Sequence, residues 1–359
     1  MGERKDEHLR IALDHERARR GRPNDLDDVE LVHHALDGID PARVSLDVEV
    51  AGMRWTSPVY VNGMTGGTAH TGDVNRTLAI AAREADMPIA SGSVSIALDD
   101  PSRAPWFRVL RDEHPDGFVL ANVGADRSAD DARRAVDLLR ADALQVHLNA
   151  AQELVMPEGS TRFDTWAASI AAICEAVDVP VVVKEVGAGL SGRTVARLAD
   201  LGVAVADVGG AGGTDFVRVE NDRRVAGDYA YLAGWGLSTP ACLLDAASAG
   251  LPLLASGGVR HPLDVVRALA LGAQGVGVAS RFLAIAVEDG EQALVDEMRR
   301  WRDHVRALLG LVGAASPADA VHADVLVRGR LRELAELRGL DVTSLARRRA
   351  QPAADGGTA

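Results

Sequence analysis

Residues 180–210 have the sequence PVVVKEVGAGLSGRTVARLADLGVAVADVGG, and their pattern decides the fold. Short apolar runs at 180–186 and 203–210 flank a stretch at 191–201 whose apolar residues recur at helical spacing. Continuous apolar runs are typical of strands buried on both faces, whereas helical spacing is typical of a helix packed on one side. The segment therefore predicts a strand–helix–strand unit with parallel strands.

The same unit repeats along most of the chain. The apolar runs lie at 58–64, 87–93, 118–124, 143–149, 180–186, 203–210, 252–258 and 275–280. Helical stretches lie between them, for example at 129–140, 163–177, 191–201 and 262–271. Eight strand–helix units in about 250 residues are typical of a (β/α)8 TIM barrel, and this α/β fold is the prediction. A doubly wound parallel sheet is the alternative.

The ends of the chain do not follow this pattern. Residues 1–40 are polar and helix-prone, and the alternation at 44–50 followed by 53–55 predicts a hairpin that closes the bottom of the barrel. We therefore expect an N-terminal extension with hairpin at 1–57, a barrel at 58–345 and a disordered tail at 346–359. The long connection at 215–239 has the length of a lid or an interface.

Composition excludes several classes of function. The 359 residues include 39 Lys and Arg against 52 Asp and Glu, and the net charge of −13 disfavours nucleic-acid binding. The charged N-terminus lacks a secretory signal, and no apolar stretch approaches the ~18 residues of a membrane span. We expect a cytoplasmic protein without membrane contact. Cys174 and Cys242 lie in apolar helical patterns without metal spacing, which predicts core thiols.

The candidate site follows from the fold, because active sites of these barrels lie at the C-terminal ends of the strands. Polar or small residues occupy these ends: Asn62, Met64, Thr65, Ser91, Ser93, Asn122, His147, Asn149, Lys184, Glu185, Thr214, Asp215, Ser256, Gly257, Gly258, Ala279 and Ser280. Any one of them could simply complete a turn. Their recurrence at every strand end indicates a site.

Glycine-rich turns after the last two strands predict a phosphate site. The sequences ASGGVRHPLDV (255–265) and GVGVASRFL (275–283) let backbone amides and a helix N-terminus approach an anion. Further glycines at 66–67 and 209–213 leave room for a flat ligand. A phosphorylated cofactor or substrate is therefore expected.

Lys184 is an isolated cation in an apolar strand, where a buried ammonium needs an anion. The edge of a reduced flavin would supply one; a Schiff-base lysine and a structural pair with Glu185 or another carboxylate are the alternatives. In the HLNAAQE stretch, Glu153 could hold Mg²⁺ beside a diphosphate or be an ordinary first-turn helix carboxylate.

A small basic group occurs near the start of the chain. Arg4, Lys5 and His8 could fold over an anionic substrate as a lid, or belong to a solvated charged helix.

Several motifs together resemble the type 2, FMN-dependent isopentenyl-diphosphate isomerases. They are RKDEH (4–8), LVHH (31–34), NGMTGG (62–67), ASGS (90–93), HLNAAQE (147–153), VKEVGAGLS (183–191), GGTDF (212–216) and ASGGVR with DVVRALALGA (255–273). The resemblance spans residues 3–345. It implies a homo-oligomer, a tetramer or octamer, that converts isopentenyl diphosphate to dimethylallyl diphosphate in isoprenoid biosynthesis. Reduced FMN, Mg²⁺ and NADPH as reductant are the cofactors implied.

The resemblance also implies roles for individual residues. The cofactor-binding set is Gly63, Met64, Thr65, Ser93, Asn122, Lys184, Thr214, Asp215, Gly257, Gly258, Ala279 and Ser280. The substrate-binding set is Arg4, Lys5, His147, Asn149 and Gln152, of which the last three are also the catalytic candidates. Glu153 is the implied Mg²⁺ ligand. Gln152 is a poor base, so we expect it to orient or relay rather than to be the principal catalyst.

Two positions depart from the family. Ser95 and Ile96 stand where many members carry an Arg or a bulky residue, which puts one diphosphate contact in doubt. Asn62–Gly63 replaces a commoner pair that contains an Ala. The loss of a cation at 95 would make Arg4 and Lys5 more important.

Three other functions compete with this interpretation. A 2-hydroxyacid oxidase needs a His base and carboxylate-binding Arg residues, and the sixth strand end, GGAGGTD, contains neither. An enzyme similar to inosine-monophosphate dehydrogenase needs a nucleophilic loop cysteine, whereas both cysteines here lie in predicted helices. A barrel used only as a binding scaffold predicts a protein that takes up no flavin.

Overall fold

The computed structural model describes residues 2–19, 21–64 and 66–349, except for the side chains of residues 2–6 and 8. The strands are β1 (Val29–Leu31), β2 (Val48–Val50), β3 (Met53–Trp55), β4 (Val59–Val61), β5 (Ile89–Ala90), β6 (Val119–Gly124), β7 (Ala143–Leu148), β8 (Val181–Glu185), β9 (Val205–Asp207), β10 (Leu253–Ser256), β11 (Ala273–Val278) and β12 (Val325–Val327).

The α-helices surround the barrel on its outer side. They are α1 (Gly2–Arg19), α2 (Ala69–Glu84), α3 (Ser95–Asp99), α4 (Pro105–Glu113), α5 (Ala129–Leu139), α6 (Ala150–Val155), α7 (Trp166–Ala176), α8 (Gly192–Asp200), α9 (Phe216–Arg223), α10 (Thr239–Ala246), α11 (Pro262–Ala270), α12 (Ser280–Glu288), α13 (Glu291–Leu311) and α14 (Gly329–Arg338). None of these described helices is long and apolar enough to cross a membrane.

Strands β4 to β11 form a closed parallel barrel in the order β10-β11-β4-β5-β6-β7-β8-β9. β4 pairs with β11 and β9 pairs with β10, which closes the sheet on itself. The predicted (β/α)8 barrel is confirmed: seven of the predicted apolar runs contain one barrel strand each, and the eighth, 275–280, overlaps β11, which begins at Ala273. The doubly wound alternative is wrong because an open sheet would leave two unpaired edges.

The hairpin β2–β3 covers the N-terminal end of the barrel, as predicted. Trp55 lies against Tyr60 and Phe118, with ring centroids 5.4 and 5.6 Å apart. A Cβ atom on Gly275 would lie 2.8 Å from the Trp55 ring, so a larger residue at position 275 would displace Trp55 and the hairpin. The interior therefore ends in an apolar layer, and ligands must approach from the other end.

Short strands tie the two ends of the chain together outside the barrel. β1 pairs with β12 antiparallel, with Val29 opposite Val327. The sequence did not reveal these strands, because three residues are too few for a periodic pattern. The expected tail begins at 346, within a short 3₁₀ turn at Ser344–Arg347. Arg348 donates to the carbonyl of Ala270 at 2.7 Å, and residues 350–359 lie outside the described residues.

The two cysteines are unreactive core thiols, as predicted. Cys242 is fully buried and Cys174 is half-buried, and neither forms a disulfide. Burial raises the pKa of the Cys174 thiol to about 11 and raises that of Cys242 further. Both therefore stay protonated at neutral pH and are poor nucleophiles.

Candidate active site

A cavity of about 840 Å³ opens at the C-terminal ends of the barrel strands. Most of the predicted site residues line it: Gly63, Met64, Ser93, Asn122, His147, Asn149, Gln152, Glu153, Lys184, Thr214, Gly257, Gly258, Ala279 and Ser280. The volume is in the range of pockets that hold a cofactor or drug-sized ligand, about 300–1,000 Å³. The closed barrel thus brings together residues more than two hundred positions apart, such as Gly63 and Ser280.

Four predicted residues stand apart from this set. Asp215 does not line the cavity. Its carboxylate accepts hydrogen bonds from the backbone amides of Arg218 and Gly234, at 3.1 and 2.9 Å, and caps the N-terminus of α9. Thr65 lies outside the described residues, as do the side chains of Arg4 and Lys5. Roles for these three residues stay predictions.

Lys184 is the buried cation of the cavity wall. Its side chain on β8 is buried, and Nζ donates to the backbone carbonyl of Glu185 at 3.1 Å. Burial lowers the pKa of this ammonium, while the charges of Asp207 and Glu185 act in the opposite direction. Among the described residues no ion pair joins Lys184 to a carboxylate, which leaves a cation suited to an anionic ligand.

The carboxylate of Glu185 is turned away from Lys184. Its Oε2 accepts the backbone amides of the next four residues, with Val186 at 2.6 Å, Gly187 at 2.7 Å and Gly189 at 3.2 Å. Burial raises the pKa of this carboxyl, and the amide hydrogen bonds oppose that rise. The alternative of a Lys184–Glu185 ion pair is therefore wrong, because Glu185 instead shapes the loop after β8.

A buried aspartate supports the floor of the cavity. Asp207 on β9 accepts hydrogen bonds from Tyr60 Oη at 2.5 Å, Asn62 Nδ2 at 3.3 Å and Ser256 Oγ at 2.8 Å. Burial, followed by the charge of Asp207, raises the pKa of Tyr60 well above its ordinary value. Sequence reasoning missed this residue, although a lone acid in the apolar run VAVADVGG was a visible signal.

Three glycines, Gly213, Gly257 and Gly258, build a narrow backbone cradle on one side of the cavity. Gly257 and Gly258 have φ of +95° and +77°, in the left-handed region that favours glycine. A Cβ on Gly213 would lie 2.7 Å from the amide nitrogen of Gly258, and one on Gly258 would lie 2.9 Å from Asn24 Nδ2. Only backbone fits here, so amide groups can reach a phosphate.

Helix α12 begins at the edge of this cradle. Ala279 and Ser280 line the cavity, and the helix has no side-chain cap at its N-terminus. Nine residues of helix place partial positive charge there. The cradle and this helix end could hold the phosphate of a flavin mononucleotide, and Lys184 could face an anionic edge of its ring.

Helix α1 covers part of the cavity from outside. Leu9, Ala12, Glu16 and Arg19 line it, and Leu9 and Ala12 are buried. Ser280 Oγ donates to Glu16 Oε2 at 2.7 Å. This face of α1 is therefore packed against the barrel, whereas the two alternatives for Arg4, Lys5 and His8 stay predictions because those side chains lie outside the described residues. The sequence pointed to the basic residues at the start of the helix and missed its apolar face.

His147 and Asn122 are held together on neighbouring strands. His147 Nδ1–H donates to Asn122 Oδ1 at 2.9 Å, and Asn122 Nδ2 donates to Gln145 Oε1 at 3.1 Å. This arrangement places the proton of a neutral His147 on Nδ1, which makes Nε2 an acceptor. The ring orientation is therefore set by the strand beside it.

A second network fixes the amide of Gln152. Asn149 Nδ2 donates to Gln152 Oε1 at 3.3 Å and to Glu153 Oε1 at 2.9 Å. Gln152 Nε2 donates to Glu220 Oε1 at 2.8 Å. Glu220, on α9, is fully buried and was missed, because nothing in the stretch ENDRR shows that it reaches the cavity wall.

Each carboxylate oxygen of Glu153 accepts one hydrogen bond. Oε1 accepts a hydrogen bond from Asn149 Nδ2 at 2.9 Å, and Oε2 accepts one from the backbone amide of Ser160 at 2.8 Å. No group of three His, Cys, Asp or Glu that could hold a metal occurs in the described part of the chain. A cation at Glu153 would need further oxygens from a bound ligand, which is how Mg²⁺ is usually held beside a diphosphate.

Arg127 is a cavity-lining cation that sequence reasoning missed. It lines the cavity, as Ser93 and Ser95 do, and its guanidinium donates to the two carboxylate oxygens of Asp99 at 2.7 and 2.8 Å. The hydrogen bond to Asp99, followed by the charge of Asp99, raises the pKa of Arg127, and partial burial opposes that rise. Asp131 also lies 4.0 Å from the same guanidinium, so two carboxylates compensate the charge of Arg127.

Comparisons with known proteins agree with this geometry. A family model described as FMN-dependent dehydrogenase matches residues 129–327. Isopentenyl-diphosphate delta-isomerase of Kitasatospora griseola is 58% identical, over 96% of this chain and 95% of that protein. The enzyme of the same name from Streptomyces sp. (strain CL190) is 56% identical, over the same shares.

A solved structure shows the same architecture at lower similarity. A crystal structure of mandelate oxidase with 2-hydroxy-phenylacetamide matches with a TM-score of 0.60, at 20% identity, over 89% of this chain and 90% of that one. This likeness shows the fold alone. The family match and the two near-full-length relatives show more: the chain belongs to the FMN-dependent dehydrogenase family and, within it, to the isopentenyl-diphosphate delta-isomerases.

Proposed function

We propose that this protein converts isopentenyl diphosphate to dimethylallyl diphosphate, with reduced FMN, Mg²⁺ and NADPH as the reductant. The observation that carries the proposal is one cavity in which the buried Lys184 and a glycine cradle accompany the amides of Asn149 and Gln152. The name of the relatives supports the substrate.

The residues of the cavity suit FMN. Gly257, Gly258 and the start of α12 would hold its phosphate, and Lys184 would face the ring edge that is anionic in the reduced state. Ser93 and Asn122 would contact the ring through hydrogen bonds. When bound and reduced, FMN supplies the proton-carrying chemistry that the side chains of the cavity lack.

The reaction itself explains why amides surround the site. Moving the double bond adds a proton at the terminal carbon and removes one from C2, and neither carbon is acidic or basic enough for an ordinary side chain. Gln152 and Asn149 neither gain nor lose protons at neutral pH, so their role is to orient the alkene. Because Asn149 and Glu220 hold both ends of the Gln152 amide, that orientation is fixed before substrate binds.

The diphosphate group would bind at the rim of the cavity. Glu153 would share Mg²⁺ with the diphosphate oxygens, and His147 and Asn149 would contact the same group. Arg4 and Lys5 lie on α1, whose apolar face already covers the cavity. This position of the helix supports a lid role for its basic residues.

The 2-hydroxyacid oxidase function has less support. His261 and Arg260 line the cavity, but His261 caps α11, and Arg260 is held by Asp27 at 2.7 Å and Asp264 at 2.9 Å. An arginine paired with two carboxylates is poorly suited to bind a substrate carboxylate. The likeness to mandelate oxidase is therefore one of fold.

We also propose a cytoplasmic homo-oligomer, a tetramer or octamer. Val225, Tyr231 and Trp235, in the connection between α9 and α10, are exposed, and Trp235 retains 62% of its surface. Exposed aromatic residues of this kind are typical of interfaces. Light scattering on the purified protein tests the proposal, and a monomer at micromolar concentration would contradict it.

An anaerobic assay tests the reaction. Protein, FMN, NADPH, Mg²⁺ and isopentenyl diphosphate should yield dimethylallyl diphosphate, observed by NMR, with little product when FMN or Mg²⁺ is omitted. An absence of product with all components present would refute the proposed isomerase. A flavin absorption spectrum that is unchanged on mixing with protein would instead support a binding scaffold of another kind.

A further inference from the structure

Arg223, the last residue of α9, lies between three carboxylates. Its guanidinium is 2.5 Å from Glu220, 3.2 Å from Glu7 and 3.3 Å from Glu158, measured between the nearest nitrogen and oxygen atoms. Only 12% of the Arg223 side chain is exposed, and the Glu220 side chain is fully buried. A buried carboxylate needs such a partner, because an isolated charge in this environment is costly.

One of these carboxylates controls a residue of the active site. Glu220 accepts Gln152 Nε2–H through Oε1 and Arg223 through Oε2. As long as Glu220 is ionised, it can only accept, so it selects the orientation in which Gln152 presents its NH₂ group. If the loss of Arg223 displaces Glu220, the carboxylate no longer selects that orientation.

Another of the carboxylates belongs to the helix that covers the cavity. Glu7 is on α1, two residues before Leu9, whose side chain is buried against the cavity. The neighbouring Asp222 of α9 also holds α1, through His15 Nε2 at 2.9 Å. Helix α9 therefore contacts the cover of the cavity on one side and Gln152 on the other.

We propose that Arg223 is a positioning residue that couples the docking of α1 to the orientation of Gln152. This inference rests on the proposed isomerase function for its kinetic consequences only. The guanidinium satisfies Glu220 and Glu7 together, so undocking of α1 removes a partner from the group that holds Glu220. When α1 is docked over the substrate, Gln152 therefore has the orientation that Glu220 selects.

Kinetic variants test the coupling. Arg223→Ala should lower kcat and raise KM for isopentenyl diphosphate, each by about tenfold or more, as expected when a partner of a buried charge is removed. Glu7→Gln should change both constants in the same directions by smaller factors, because it removes one carboxylate from Arg223 and leaves the pair of Arg223 with Glu220 in place. Arg223→Lys should recover part of both effects. Arg218→Ala, an exposed arginine on the same helix, is the control and should change neither constant.

The decisive comparison is the effect of Glu7→Gln in two backgrounds. If Arg223 carries the coupling, Glu7→Gln raises KM in the wild-type protein and has no further effect in Arg223→Ala. If Glu7→Gln raises KM equally in both backgrounds, the coupling is refuted. Should Arg223→Ala fail to fold, Arg223→Lys serves as the second background, in which the effect of Glu7→Gln should be reduced.

A structural measurement separates this inference from the proposed function. Hydrogen–deuterium exchange of the amides of residues 9–13 should be faster in Arg223→Ala than in the wild-type and Arg218→Ala proteins. An unchanged exchange rate would overturn the docking role of Arg223. A wild-type protein without isomerase activity would refute the proposed function and leave this exchange result standing.

Discussion

Lys184 and Asp207 are register partners on β8 and β9, yet they form no ion pair. The carboxylate of Asp207 accepts hydrogen bonds from Tyr60, Asn62 and Ser256 beneath the cavity. Lys184 Nζ instead donates a hydrogen bond to the backbone carbonyl of Glu185. Two opposite charges on adjacent strands thus have different partners. The aspartate binds side chains at the floor of the cavity, and the lysine can interact with an anionic ligand.

Replacing the lysine should therefore weaken ligand binding and stabilise the empty protein. Because burial lowers the pKa of Lys184, its charged form is destabilising in the folded state. Lys184→Met should raise Tm in the absence of FMN and should weaken FMN binding by about tenfold to a hundredfold, the range for a hydrogen bond to a charged group. Fluorescence quenching of FMN and thermal unfolding measure the two effects.

The stabilisation should depend on pH in a defined direction. A lysine whose pKa is lowered on folding releases its proton at lower pH than in the unfolded chain, so the unfolded chain binds more protons in that interval. The wild-type protein should gain stability as pH rises from the folded pKa towards the ordinary value of about 10.4. The Tm advantage of Lys184→Met should shrink over the same interval, and a constant difference would contradict this assignment.

Loss of the aspartate should destabilise the barrel. Asp207→Asn replaces one of the two acceptor oxygens with an NH₂ group, which leaves either Ser256 or both Tyr60 and Asn62 facing a donor, at a cost of about 2–4 kcal/mol. Tyr60→Phe, which removes one of these donors, should cost about 1–2 kcal/mol. Urea denaturation gives both values. Equal costs for the two variants would show that Asp207 serves Tyr60 alone.

The glycine cradle offers a matched pair of substitutions. Gly258→Ala introduces a Cβ 2.9 Å from Asn24 Nδ2, whereas Gly272→Ala, at φ +98°, introduces one with no atom within 4 Å. Both carry the backbone strain of a left-handed conformation, about 1 kcal/mol. We expect only Gly258→Ala to reduce FMN affinity, measured by titration. Equal losses of affinity would mean that strain, and not crowding of the cradle, is responsible.

The barrel, its strand ends and most of the cavity lining were predictable because those signals are local. An apolar run of seven or eight residues such as 180–186 specifies a buried strand, and the closed topology then brings every strand end to one rim. His147, Asn149 and Lys184 were identifiable as site residues for that reason. The directions of their side chains followed from the two-residue period of a strand.

Other features depended on contacts between distant parts of the chain. Gln152 and Glu220 are 68 positions apart, and Ser280 and Glu16 are 264 apart, so no spacing rule connects them. The partner of a polar side chain is chosen by packing, as Asp207 and Glu185 show by turning away from the nearest lysine. The sequence alone determined the barrel and the chemistry available at its rim, because hydrophobic periodicity is a property of consecutive residues. Only the tertiary structure decided which charges are compensated and which helix covers the cavity, because burial and pairing depend on distance in space.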